Sequence, residues 1–203
     1  MKDFKIRASA SGKLMTNPQK KTDTISKTTI SYLQEWTKEQ LYGVRKEISN
    51  KYMTKGTFLE NEAIDKAITW ANLDFAIKNE NYFEDDFFCG TPDIICADYV
   101  VDTKVSWDCF TFPLFDDEIP TDDYFYQLQI YMALCGKRKA KLVYVLLNTP
   151  DTMVYETPHN YDGLDPKYRC KVFDIEYQPE VIEELKKRVF LAREYINNLT
   201  QNL

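Results

Sequence analysis

Apolar positions in the first part of the chain recur at helical spacing. From about Ile25 to Ser49, the residues Ile30, Leu33, Trp36, Leu41 and Val44 alternate with charges, which predicts an amphipathic packing helix. A second helix is predicted from Thr57 to about Ile77, entered through Lys55-Gly56, with the stripe Ile64, Ala67, Ile68, Ala71 and Phe75. One turn back from Ile64, Glu60 heads that stripe, whereas Glu62 falls on a solvated face. Before these helices, residues 4–16 mix small residues with serines, and Ser9 or Ser11 is a candidate cap for a short helix.

The pattern then shortens to strands. Phe87-Phe88-Cys89 reads as a short strand, followed by the turn Gly90-Thr91-Pro92. Asp93 heads an apolar run, Ala97-Asp98 turns the chain, and Tyr99 to Val105 reads as a strand rich in β-branched and aromatic residues. Alternation puts Asp102 and Lys104 on one face of that strand and Val101, Thr103 and Val105 on the other. A long loop, Ser106 to Thr121, carries Trp107, Phe110, Phe112 and Phe115. Thr121 or Asp122 caps a helix over about 122–135, stopped by Cys135-Gly136, with Gln127, Tyr131 and Leu134 on one face. Ala140 to Leu147 is a continuous apolar strand, with Met153-Val154-Tyr155 its expected hairpin partner. Lys171 to Tyr177 alternates as an edge strand. Pro179 opens a last helix to about Asn198, with Ile182, Leu185, Val189, Ala192 and Ile196 as its buried stripe.

Composition narrows the chemistry. The 203 residues, 44% hydrophobic, suit one domain spanning 1–203. No apolar run is long enough to span a membrane and the first residues lack a signal-type apolar core, so a cytoplasmic protein is expected. Five scattered cysteines without a Cys-x-x-Cys pair argue against disulfides and zinc. The single histidine, His159, is expected exposed in a loop, and its solitude argues against histidine-based metal or triad chemistry. The remaining catalytic types are carboxylates, lysines and tyrosines. A net charge of −6 means that any nucleic-acid enzyme here gathers positive charge locally and uses divalent cations beside its acids. The cluster Lys137, Arg138, Lys139 and Lys141 is expected to be a solvated turn.

Burying charge is costly unless it is paired or binds a metal, and the 90–105 hairpin places two carboxylates and an ammonium among apolar residues. In chain order the sequence reads Gly56-x-x-x-Glu60 on a helix, Pro92-Asp93 at a hairpin, Asp102-Thr103-Lys104 on a strand, and Gln127-x-x-x-Tyr131 on the next helix. This order resembles the PD-(D/E)xK nuclease superfamily, in its RecB-type and lambda-exonuclease-like branch. The YqaJ-like phage recombination exonucleases are similar in the Gly-x-x-x-Glu helix, in Gln127-Leu128-Gln129 and in Ala8-Ser9. The middle acid is Asp102, where many relatives use Glu.

The resemblance implies an α/β, restriction-endonuclease-like core: a mixed central sheet of about five strands flanked by helices. It implies a Mg²⁺-dependent DNA exonuclease, digesting duplex ends 5′ to 3′, with Mn²⁺ able to substitute and without an iron–sulfur cluster. Asp93 and Asp102, with the Thr103 carbonyl, would hold the metal, and Glu60 a second ion or its water; hard cations prefer such oxygen ligands. Lys104 would orient or deprotonate the attacking water or neutralise charge. Gln127 would position phosphate or the lysine, and Tyr131 would brace the helix. Arg7, Ser9 and Gln129 are candidate phosphate or DNA contacts. A single-strand annealing protein is the implied partner and a homo-oligomer, by resemblance a trimer, the implied assembly. A structure-specific endonuclease and a catalytically silent nucleic-acid-binding protein are the alternatives.

Overall fold

The computed structural model describes residues 3–46, 50–153 and 159–201. The fold is mixed α/β, as expected, but the strands divide between two sheets. In the smaller sheet, β1 (Ile6–Arg7) runs parallel to β3 (Phe88–Gly90), which pairs antiparallel with β2 (Phe83–Glu84). The larger sheet has the order β4 (Ile94–Ile95), β5 (Tyr99–Val105), β6 (Lys139–Val145), β7 (Cys170–Glu176). Its central pair, β5 and β6, is parallel, and both outer pairings are antiparallel. A parallel pair needs a long crossover, and the 106–138 segment supplies it through α5 (Asp122–Cys135).

The pleat of β5 sorts its residues between two cores. On one face Val100 joins Leu142, Tyr144, Phe173 and Ile175 from β6 and β7, covered by Leu128 and Met132 of α5. The same core takes the stripe Ile182, Leu185, Val189, Ala192 and Ile196 of α6 (Pro179–Gln201) and Leu33 of α2 (Lys27–Tyr42). On the other face Val101, Val143 and Val145 pack against Ala63, Ile64 and Ala67 of α4 (Glu60–Trp70). The period-2 reading of the strand and the stripe of the last helix both hold. Among the described residues no helix is long and apolar enough to cross a membrane.

Several expected elements differ. The first long helix stops at Gly43, which takes the left-handed conformation that suits glycine (φ 65°). Leu41 and Val44 are therefore exposed rather than buried, and residues 47–49 lie outside the described residues. The second helix begins earlier and is broken: α3 (Lys51–Phe58) and α4 are separated at Leu59. Asn50, not Lys55-Gly56, opens it, its side chain accepting from the Met53 N–H at 3.0 Å. Phe75 lies beyond the helix, fully exposed and at φ 51°. Neither Ser9 nor Ser11 caps α1 (Gly12–Met15); the Ser11 hydroxyl instead donates back to the Ala8 carbonyl at 2.7 Å. His159 is half-buried, its Nδ1 without a hydrogen bond. Of the supposed 153–155 strand, Met153 ends a short 3-10 turn and the other residues lie outside the described ones. In the aromatic loop Trp107 and Phe112 are buried, and Phe110 and Phe115 point to solvent.

Candidate active site

The antiparallel register Ile94↔Val101 places Asp93, one step earlier, beside Asp102, one step later. The Thr103 N–H donates to Asp93 Oδ2 at 2.6 Å and ties the hairpin shut there. Asp102 is 3% exposed, so its charge depends on its partners. Its Oδ2 stands 2.6 Å from Lys104 Nζ, an ion pair whose angles fall short of a hydrogen bond. Its Oδ1 accepts from Gln127 Nε2 at 2.9 Å. The same amide nitrogen donates to the Tyr131 hydroxyl at 3.0 Å, and Gln127 Oε1 accepts from Lys104 at 3.4 Å. One side chain of α5 thus fixes the acid, the lysine and the tyrosine together.

Charge crowding shows in the acids. Burial, then the neighbouring Asp102, push the Asp93 carboxyl up to about 7, against the pull of the Thr103 N–H and Lys104. Lys104 is drawn down by burial, but Asp102 outweighs that and leaves its ammonium above its ordinary range. Burial, then Asp102, also raise the Tyr131 phenol. These groups lie together in a cleft of about 750 Å³, lined also by Glu60 and Thr103. Glu60 enters from the opposite helical layer, at the first turn of α4, where its Oε1 pairs with Lys78 Nζ at 2.9 Å.

Tyr131 reaches the site because Gly90 leaves it room. A β-carbon at Gly90 would lie 2.8 Å from Tyr131 Cε1 and 3.2 Å from Ala8 Cβ. The glycine's role is this close approach of helix and turn.

The cleft thus holds Glu60, Asp93, Asp102, Thr103, Lys104, Gln127, Tyr131 and Ser9. It does not hold Arg7 or Gln129. Arg7 lies in β1, where its charge acts on the buried Tyr32 phenol. Gln129 is fully buried on another face of α5, donating to the Glu176 carbonyl at 2.8 Å and accepting from the Gln178 N–H at 2.8 Å; it fastens β7 and the start of α6. Neither Lys137 nor Lys141 is simply solvated: Lys137 donates to the Ala97 carbonyl at 2.6 Å and Lys141 pairs with Asp174.

Sequence reasoning missed Arg45, Tyr52, Met53, Thr57, Tyr124 and Tyr144, all of which line the cleft. Two of them had a signal. Tyr124 is three residues before Gln127, on the same helical face, and its ring lies 4.7 Å from Lys104 Nζ. Tyr144 is the parallel partner of Lys104 and meets Tyr124 edge-on at 6.3 Å.

The donor set fits a hard divalent cation of the Mg²⁺ type. Two adjacent buried carboxylates, Asp93 raised by burial and by its neighbour and Asp102 balanced by the single ammonium of Lys104, are oxygen ligands that together carry more negative charge than Lys104 offsets. Among the described residues no three acids, cysteines or histidines converge as a ready-made cage. Mg²⁺ does not need one, since it commonly keeps several waters and takes one or two carboxylates with substrate phosphate.

No family model matches the chain, and no curated protein does. Solved structures do. A phage-related exonuclease from Haemophilus somnus 129PT superposes with a TM-score of 0.86 at 28% identity, covering 99% of this chain and 97% of that one. An alkaline exonuclease from Laribacter hongkongensis, LHK-Exo, gives 0.73 at 19% identity, over 98% and 92% of the two chains. A structure of LHK-Exo in complex with dAMP gives 0.72 at 21% identity over the same shares.

Proposed function

We propose that this chain, which has the fold of the lambda-exonuclease-like nucleases, is a metal-dependent DNA exonuclease. The observation that carries the reading is the set Asp93, Asp102 and Lys104, gathered by one hairpin register and joined by Gln127 in one cleft. Its likeness to the Haemophilus somnus exonuclease extends over nearly the whole of both chains.

Asp93 and Asp102, with the Thr103 carbonyl, would hold Mg²⁺, with Mn²⁺ a substitute, and Glu60 would turn from Lys78 toward the same cleft. Bound there, the ion supplies Lewis acidity and a more acidic water. Lys104 is held charged by Asp102 and stabilises negative charge developing on the scissile phosphate. Gln127 fixes Lys104 and Asp102 relative to each other, so neither has to reorganise during the reaction. Tyr124 covers the lysine with its ring face, which favours the ammonium and sheds water. Tyr131 braces the amide of Gln127. Ser9, which lines the cleft, would meet a phosphate at its wall. Digestion 5′ to 3′ from duplex ends, a role in phage-type recombination beside an annealing protein, and a homo-oligomer are proposed on the resemblance.

The test is digestion of an end-labelled linear duplex with Mg²⁺ and with EDTA, beside a closed circle and an Asp102→Ala variant. Mg²⁺-dependent loss of the linear DNA, with the circle spared and the variant inactive, is expected. Cutting of the circle means an endonuclease instead. No digestion of any DNA overturns the nuclease reading.

A further inference from the structure

Among the described residues, Lys55 has a fully buried ammonium that nothing above uses. The residue is 0% exposed, and among the described residues no carboxylate forms an ion pair with it, although the charge of Asp108 reaches it. Its Nζ lies 2.8 Å from each of three backbone carbonyl oxygens, Ser106, Trp107 and Leu147, and 2.9 Å from the Thr149 hydroxyl. Thr149 is held in turn by donating to the Trp107 carbonyl at 2.9 Å. An ammonium has three protons and no acceptor, so these four oxygens form a cage that satisfies every proton with one acceptor to spare. Burial lowers the ammonium to about 8, and the negative charge of Asp108 pulls the other way.

The cage joins particular parts of the site. Ser106 is the first residue after β5, two beyond Lys104 and four beyond Asp102. Leu147 follows β6, the parallel neighbour of β5. Lys55 belongs to α3, whose next residues, Gly56 and Thr57, line the cleft; Glu60 follows at the head of α4. Between Lys55 and Glu60 the helix is interrupted at Leu59, so rigidity along the helix alone does not place Glu60. Lys51, one turn earlier, lies 4.8 Å from the Trp107 ring, and Tyr52 meets that ring edge-on at 5.8 Å. The aromatic loop is thereby fastened to the same helix.

We propose that Lys55 is a positioning residue of the nuclease centre: its ammonium clamps the helix that leads to Glu60 onto the ends of β5 and β6, and so fixes Glu60 across the cleft from Asp93 and Asp102. The proposal rests on the nuclease reading. Its chemistry also gives a specific signature. Cutting the side chain back to Ala leaves an empty cage of three carbonyls and a hydroxyl, with the shape of a missing propylammonium.

The experiment uses the full chain, with Mg²⁺ and linear duplex, as wild type and Lys55→Ala. Displacement of a reacting group by about 1 Å costs on the order of 100-fold, so a fall in kcat of roughly 10- to 100-fold is expected, with KM for DNA little changed. Propylammonium chloride should restore much of that loss. Tetramethylammonium at equal ionic strength should not, and wild type should respond to neither. Hydrogen exchange is the second readout and does not depend on activity. In Lys55→Ala, amides of 51–60 and 106–111 should exchange faster while those of β6 and β7 do not. Should Lys55→Ala fail to fold, Thr149→Val removes one oxygen of the cage and takes both readouts with a smaller expected change. Wild-type kcat in a folded variant, or a loss that propylammonium leaves untouched, overturns the positioning role while the nuclease reading stands. An inactive wild type overturns the nuclease reading, and with it this role.

Discussion

Asp93→Asn removes the charge that the folded, metal-free protein tolerates least. An acid at about 7 in the folded chain, against its ordinary 3.8, corresponds to roughly 4 kcal/mol at 1.36 kcal/mol per unit. Asp93 and Asp102 interact, so the figure belongs to the pair. The amide keeps an oxygen for the Thr103 N–H, whose pull on the charged form is already included in that value. The variant should therefore gain roughly 4 kcal/mol at pH 8, or roughly 8–16 °C in Tm for a chain of this size. The pH dependence follows from the raised value. Below pH 4 the Asp93 carboxyl is protonated folded and unfolded, and the two proteins differ little. Between pH 4 and 7 the unfolded chain releases a proton that the folded chain retains, so wild-type stability falls as pH rises. Above 7 the penalty is complete. Melts of both proteins in EDTA from pH 4 to 8.5 measure the gap. Mg²⁺ at pH 8 should raise the wild type toward the variant and leave the variant nearly unmoved. A gap that stays flat across this range, or a wild type that outlasts Asp93→Asn at pH 8 in EDTA, would refute the reasoning.

Gln127→Leu strips the amide from Asp102, Lys104 and Tyr131 together; roughly 1–3 kcal/mol of stability and at least about tenfold in turnover should go, read by melts and initial rates, and normal turnover in the folded variant would remove Gln127 from the mechanism. Gly90→Ala drives a methyl onto Tyr131 and Ala8 and should cost about 1–3 kcal/mol, measured as a lower denaturant midpoint. Gln129→Ala should destabilise by roughly 1–3 kcal/mol through the freed Glu176 and Gln178 backbone groups while KM for DNA stays the same. A raised KM would return Gln129 to the DNA.

The parts of the site that the sequence made legible are those governed by local periodicity. Period 2 put Asp102 and Lys104 on one face, and the i, i+4 rule aligned Gln127 with Tyr131; both geometries are present. Glu60 was found as the head of a stripe, though the helix around it was misjudged. The early start at Asn50 rests on its side chain accepting from the Met53 N–H, and the seating of α3 on Lys55 reaching oxygens from residues 106, 107, 147 and 149, which no window along the chain contains. The split into two sheets was hidden for a similar reason: β1 pairs with β3 across more than eighty intervening residues, and two-residue strands carry almost no alternation. Gln129 was misassigned because a Gln-x-Gln pair on a helix points two ways, and nothing local says which side meets the cleft. Arg45 has no sequence signal at all.

The hairpin and its crossover also order events during synthesis. Apart from Ser9 and Glu60, the cleft acids, the lysine and their α5 partners all lie between Asp93 and Tyr131, and β6 follows only afterwards. A nascent chain that has emerged as far as Gly136 holds Asp102 on a strand whose only sheet partner so far is the two-residue β4. Its carboxylates are still hydrated there, and the cost of crowding them has not yet arisen. That cost arrives when β6 docks along β5, and the cage around Lys55 closes later still, because Leu147 and Thr149 leave the ribosome after everything they fasten. The cleft is thus completed only by residues made well after its own acids, Asp93 and Asp102.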